Sequence, residues 1–178
     1  LYMANALNNN KDTKVIIYTR LSQSDTKGFG RAKDTKEKKI AESIKNQLYE
    51  CTAGLRDLQL WDKKIDITKY YEPGEYQVGN ILILNEGIMS GVHEEARPLY
   101  TEHIKDRFKR LEFIPYEQRI HDKDWIDFII VTRPDRLTRS SATMQILFNL
   151  LDKIGVKAYG TYKRGFIDKN DAMIYGLV

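Results

Sequence analysis

Ser22 stands two residues past Arg20 in the run Tyr18-Thr19-Arg20-Leu21-Ser22, and much later Arg133-Pro134-Asp135-Arg136-Leu137-Thr138-Arg139-Ser140 brings three more arginines. The serine offers a hydroxyl. Arginine stays protonated and cannot readily act as a general base, but its guanidinium binds phosphate oxygens through paired donors. A serine among arginines therefore suits phosphoryl transfer better than acyl transfer. Arg20, Arg136 and Arg139 would hold a phosphate, stabilise charge in the five-coordinate transition state and ease formation of a serine alkoxide. Asp135 would orient an arginine or shuttle a proton. Plainer readings stand beside these: Asp135-Arg136 as a surface ion pair, and Ser22 as a turn or capping serine.

Such chemistry needs elements that bring the two clusters together. Lys14 to Tyr18 (KVIIY) is an apolar run suited to a buried strand, and Val78 to Leu84, Ile126 to Thr132 and Val156 to Tyr162 are further strand candidates. The polar stretch from Gln23 to Lys39 reads as a mobile loop leading into a helix. Helical spacing runs from Ile40 to Leu60, with Ile44, Leu48, Cys51 and Leu55 on one face, and again from Arg97 to Leu111. Pro73 and Gly74 mark an irregular stretch after Trp61, and Phe113 to Asp124 reads as a polar loop. Ser140-Ser141 predicts an N-cap for a helix ending at Ile154, with Gly155 as its stop. Asn170 to Val178 begins a last helix. Strands alternating with helices predict a three-layer α/β fold with a mainly parallel central sheet of about four to five strands flanked by helices. Both polar clusters then fall at carboxyl ends of strands, where sites in such folds collect. Ser22 is expected near Arg20, Arg136 and Arg139 at one edge of the sheet.

With these elements set out, four motifs stand in order. Tyr18-x-Arg20-x-Ser22 resembles the nucleophile motif of the serine recombinases, the resolvase/invertase family. Ser43-Ile-Lys-Asn-Gln47 resembles that family's S-I-x-x-Q segment at the start of its first helix. Ser90-Gly91 followed by Arg97-Pro98-Leu99 resembles its S-G…R-P-x-L element, and Asp135-Arg136-Leu137-Thr138-Arg139-Ser140 its D-R-L-x-R-S motif. The ordered set spans Lys14 to about Ile167. The resemblance implies that Ser22 becomes linked to the 5′ phosphate of cleaved DNA. Arg20, Arg97, Arg136 and Arg139 would surround the scissile phosphate, and Gln47 and Asp135 would support them. It implies rejoining without ATP, metal or other cofactor, and a homodimer that pairs into a homotetramer on double-stranded DNA.

Measured against that pattern, residues near 24–42, 61–80 and 113–124 read as insertions, and Pro134 replaces the usual aliphatic residue before Asp-Arg. Residues 14–178 would form one catalytic domain, with 1–13 a disordered tail or remnant ahead of it. The family's long oligomerising helix should begin where the chain stops. That implies a piece of a larger recombinase and leans towards the large integrase or transposase branch. A prokaryotic or phage protein of the cytoplasm, associated with the nucleoid, would fit.

Composition permits this reading. Apolar residues make up 42% and charged residues 30% of 178, which suits a packed domain rather than a disordered chain. No apolar run approaches the length of a membrane span. The net charge of +4 permits a polyanion partner without demanding one. Cys51 is the only cysteine, so no intrachain disulfide forms, and His93, His103 and His121 lack metal-ligand spacing. Gly28-Phe29-Gly30 lacks a third glycine for a dinucleotide loop. The lysine-rich segment reads first as a solvated loop and helix face, because Asp34 and Glu37 dilute its charge. It reads second as a DNA contact through Lys27, Arg31 and Lys33. Two rival functions remain: a DNA-associated dimerisation or regulatory domain with residual motifs, and a flavodoxin-like or response-regulator domain. The second would need an acidic pocket or phosphate loop where the arginines stand.

Overall fold

Alternation along the first strand decides the layers. In β1, Val15–Ser22, all eight residues are buried. Ile16 and Tyr18 pack into one apolar cluster, and Val15, Ile17 and Leu21 into a second on the opposite face. A strand buried on both faces must be central to a sheet with helices on each side. The computed structural model describes residues 13–89, 99–138 and 140–176. The expected tail at 1–13 lies outside them apart from Thr13, as do Arg97 and Arg139.

The chain continues through α1 (Lys33–Asp57), β2 (Gly74–Val78), β3 (Ile81–Met89), α2 (Leu99–Glu112), the one-turn α3 (Tyr116–Arg119) and β4 (Phe128–Val131). It finishes with the one-turn α4 (Pro134–Leu137), α5 (Ser141–Ile154), β5 (Lys157–Gly160), β6 (Gly165–Ile167) and α6 (Lys169–Gly176). The sheet order is β2-β3-β1-β4-β5-β6. β3, β1, β4 and β5 are parallel, and β2 and β6 are antiparallel edges. The expected α/β fold with a mainly parallel sheet is therefore present. It has six strands where four to five were expected, because two short edge hairpins escape sequence patterning. Pro73-Gly74 disguised β2 as irregular, and β6 spans only three residues.

The chain steps from β1 to β3 on one side, then from β3 across to β4 and on to β5. Parallel crossovers share one hand, so reversing direction places helices on opposite faces. α1 covers one face through Ile44, Leu48, Cys51 and Leu55. α2 and α5 cover the other through Ile104, Phe108, Met144, Leu147 and Leu151. The reversal leaves a crevice between the carboxyl ends of β1 and β4.

Several expected boundaries shift for physical reasons. β1 runs on to Ser22, because β3 pairs with it as far as Leu21↔Ile88 and Ser22↔Met89. The register between them slips by one residue, and the extra residue lies in β3 near Gly87. Gly87 has φ 72°, and a Cβ there would lie 2.7 Å from Pro73 Cγ, so the bulge needs glycine. α1 starts at Lys33, so the second part of the expected loop, from Lys33 to Lys39, is helix, and Ser43 lies well inside α1. Pro134 opens α4 at its first turn, a position where a missing N–H does no harm. Ser140 Oγ accepts the N–H of Thr143 and Gly155 closes α5 in the left-handed region, as the sequence predicts.

The stretch 113–124 is more than a loop. Arg119 is buried and donates to the carbonyls of Leu111 and Ile114, near the end of α2, and of Lys153 and Ile154, at the end of α5. One guanidinium thus satisfies the orphan carbonyls of two helix termini and opposes their dipoles. No helix among the described residues is long and apolar enough to cross a membrane.

Candidate active site

Five of the motif residues, Arg20, Ser22, Gln47, Asp135 and Arg136, meet at the crevice between β1 and β4. Ser22 ends β1 and is 7% exposed; Arg20, two residues earlier on the same face, is 5% exposed. The site lies inside the sheet, at the end of a central strand, and not at the edge expected from sequence. β4 pairs with β1 only over Val15–Ile17, so the backbone of Arg20 lies beyond that ladder. Gln47 stands in for the missing strand. Its Oε1 accepts the Arg20 N–H at 3.3 Å, and its Nε2 donates to the Arg20 carbonyl at 2.8 Å. Gln47 therefore fixes the backbone of Arg20 rather than its guanidinium.

The Arg20 guanidinium reaches across to donate, through Nη2, to the carbonyl oxygen of Asp135 in α4. The Asp135 side chain turns the other way, its Oδ1 lying 3.2 Å from Nε of Arg133. Asp135 thus supports the cluster through its main chain, and its carboxylate answers a neighbour in sequence.

Asp25, a residue that sequence reading did not single out, joins Ser22 to Arg136. It sits in the 3-10 turn Ser24–Thr26 just after β1. Its Oδ2 accepts from the Ser22 N–H at 2.7 Å, from the Ser22 hydroxyl at 2.8 Å and from Arg136 Nη1 at 2.6 Å. Ser24 Oγ lies 2.8 Å from Ser22 Oγ. Burial alone would raise the Asp25 pKa, but the Ser22 N–H and hydroxyl and the Arg136 guanidinium outweigh it and hold the carboxyl at about 2. At neutral pH Asp25 is an anion that fixes the Ser22 proton in place and has little power to remove it. The signal in sequence was the Ser22-x-x-Asp25 spacing, which lets a carboxylate fold back onto a strand-end serine.

Asp25, Gln47, Arg133 and Arg136 line a polar cleft of about 1010 Å³ that runs along α1 over the ends of β4 and β5. Ser22 sits one hydrogen bond from that lining, through Asp25. At the far end Arg164 pairs with Asp57 at 2.8 Å. Tyr159 donates to the same carboxylate, and its pKa is pushed up to about 12 by burial first and then by Asp57. That trio ties α1 to the β5–β6 turn.

The other positions divide. Tyr18 is fully buried, and its hydroxyl donates to Glu86 Oε2, which also accepts the Tyr100 N–H at the start of α2. Lys27, Arg31 and Lys33 are exposed on the turn and first residue leading into α1. Cys51 is buried under α1, and burial pushes its thiol pKa up, so it is no nucleophile. Among the described residues no group of three or more His, Cys, Asp or Glu side chains is placed to hold a metal ion. Arg97, Arg139 and the Ser90-Gly91 pair lie outside the described residues.

Fold and site together define a doubly wound α/β domain with a serine–carboxylate–arginine cluster at the switch point of its sheet. No protein-family model, curated protein or solved structure matches the chain.

Proposed function

We propose that this domain cuts and rejoins double-stranded DNA by phosphoryl transfer to Ser22. The observation that carries the reading is the convergence of Ser22 and Arg136 on one carboxylate oxygen, although Arg136 lies 111 positions beyond Asp25. Arg20 is tied to the same Asp135-Arg136 segment. Two polar clusters far apart in sequence thus meet where open α/β sheets bind ligands.

In the reaction Ser22 Oγ attacks the phosphorus and loses its proton. The bond from phosphorus to the 3′ oxygen breaks, and that oxygen leaves as a 3′-hydroxyl. The product is a 5′-phosphoserine link. Attack by a 3′-hydroxyl on that link restores the strand and frees Ser22, so the bond energy is kept and ATP is unnecessary. Arg20 and Arg136 hold the non-bridging oxygens and stabilise their growing charge. By resemblance to the serine recombinases, Arg97 and Arg139 complete this shell. Gln47 keeps Arg20 in place, and Lys27, Arg31 and Lys33 add contacts to the flanking backbone. Strand exchange by a homodimer that pairs into a tetramer, in a prokaryotic or phage setting near the nucleoid, belongs to the same proposal.

A second reading is a DNA-associated regulatory domain. The burial of Ser22 and its donation to Asp25 favour it, since a serine so held does not attack. A trapping assay separates the two. The full gene product is incubated with DNA from the ends of its own genetic element, and denaturation-resistant protein–DNA adducts are sought. The recombinase reading expects an adduct that is absent in Ser22→Ala. Specific binding without any adduct would overturn it in favour of the regulatory domain.

A further inference from the structure

Three donors from two distant segments aim at one atom. The Ser22 hydroxyl, the Ser22 N–H and Arg136 Nη1 all meet Asp25 Oδ2. One hydroxyl, one backbone amide and one guanidinium form the kind of donor set that holds a phosphoryl oxygen. A carboxylate oxygen is the nearest mimic a protein can supply from its own side chains. We infer that Asp25 Oδ2 occupies the seat of a non-bridging oxygen of the scissile phosphate, and that DNA must displace the Asp25 carboxylate before Ser22 reacts. The inference rests on the reading of Ser22 as nucleophile given above.

Four observations support it. The carboxylate and a phosphodiester are both anions and cannot share donors at hydrogen-bond distance without strong repulsion. Asp25 holds the Ser22 proton but, ionised and poorly basic, does not take it. The contact therefore keeps Ser22 closed. Arg136 Nε is buried and makes no hydrogen bond among the described residues. That leaves a spare donor suited to a second phosphate oxygen, beyond the one that Asp25 Oδ2 imitates. Finally, Asp25 rides on a three-residue turn rather than on the sheet or a long helix. Ser22, by contrast, is also held by the pairing of β1 with β3 at Ser22↔Met89.

The test uses the 178-residue chain and inorganic phosphate, titrated by calorimetry. Asp25→Ala empties the seat and is expected to bind phosphate at least tenfold more tightly than the wild type. Adding Arg136→Ala should abolish that gain. A folded Asp25→Ala that binds phosphate no better than the wild type overturns the inference, since a purely structural Asp25 would change only the melting temperature. Should Asp25→Ala not fold, the wild type itself gives the answer by nitrogen-15 NMR. Saturating phosphate should move the Ser22 amide and the Arg136 side-chain signals with one midpoint, and movement of Arg136 alone overturns the inference. The trapping assay keeps the two claims apart. A Ser22 adduct in the wild type without the phosphate gain in Asp25→Ala sinks the inference and spares the recombinase reading. The gain without any adduct shows an anion seat filled by Asp25 but overturns both the recombinase reading and the assignment of that seat to a scissile phosphate.

Discussion

Gln47 shows how a single side chain can replace a strand. Its amide occupies both backbone groups of Arg20, beyond the reach of the β1–β4 ladder. Gln47→Ala leaves a buried N–H and a buried C=O without that partner, and each such loss costs about 1–3 kcal/mol. Gln47→Ala is therefore expected to lower stability by about 2–6 kcal/mol in urea unfolding. It should also slow adduct formation with Ser22 still present, because Arg20 loses its fixed backbone. A variant as stable as the wild type would mean that water replaces both bonds. The sequence placed Gln47 among the supporting residues, yet the resemblance that named it said nothing of how it acts. Asp135 is the converse: its name came from its carboxylate, and its backbone carbonyl does the work.

At the scale of elements, the segment from Phe113 to Asp124 carries more than its polar composition suggests. Arg119 is buried at 8% exposure and serves the carbonyl ends of both α2 and α5. Arg119→Met keeps the apolar stem and removes every donor. It is expected to cost about 3 kcal/mol, and for a chain of this size to lower Tm by roughly 6–12 °C. The cleft lined by Asp25 and Arg136 lies at the other end of the strands, so under the proposed function the rate of adduct formation by the folded variant should change little. A variant with unchanged Tm would show that the two helix ends are satisfied without Arg119. Patterning located both helices and the capping of α5 by Ser140 and Gly155. It missed β2, β6 and α3 because elements of three to five residues hold too few periods to register.

Over the whole molecule, acid stability follows from the depressed carboxylates. Asp25 titrates at about 2 in the fold against an ordinary value of 3.8. A depressed carboxyl contributes stability that is fully present above its unfolded pKa and is lost as pH falls through the folded one. Asp25 therefore contributes above about pH 4, and its contribution fades towards pH 2. Asp57, Asp66, Asp122 and Asp171 are lowered too and steepen the same acid limb. The difference in unfolding free energy between wild type and Asp25→Asn should shrink as pH falls from about 4 to about 2. A difference that stays constant across that range would mean that Asp25 is not held as an ion by Ser22 and Arg136.

The amino-acid sequence by itself determined the layers. Apolar runs of strand length alternating with amphipathic helices leave few ways to bury both faces, and a mainly parallel sheet is the common solution. It also determined which residue types are available for chemistry, Ser22 and the arginines above all. Tertiary structure alone decided what those residues touch. The reversal of strand order opened the crevice between β1 and β4, and a one-residue slip against β3 carried β1 on to Ser22. A short turn then swung Asp25 between Ser22 and Arg136. Contacts of that kind depend on where segments more than a hundred residues apart come to rest, and no local pattern encodes such a distance.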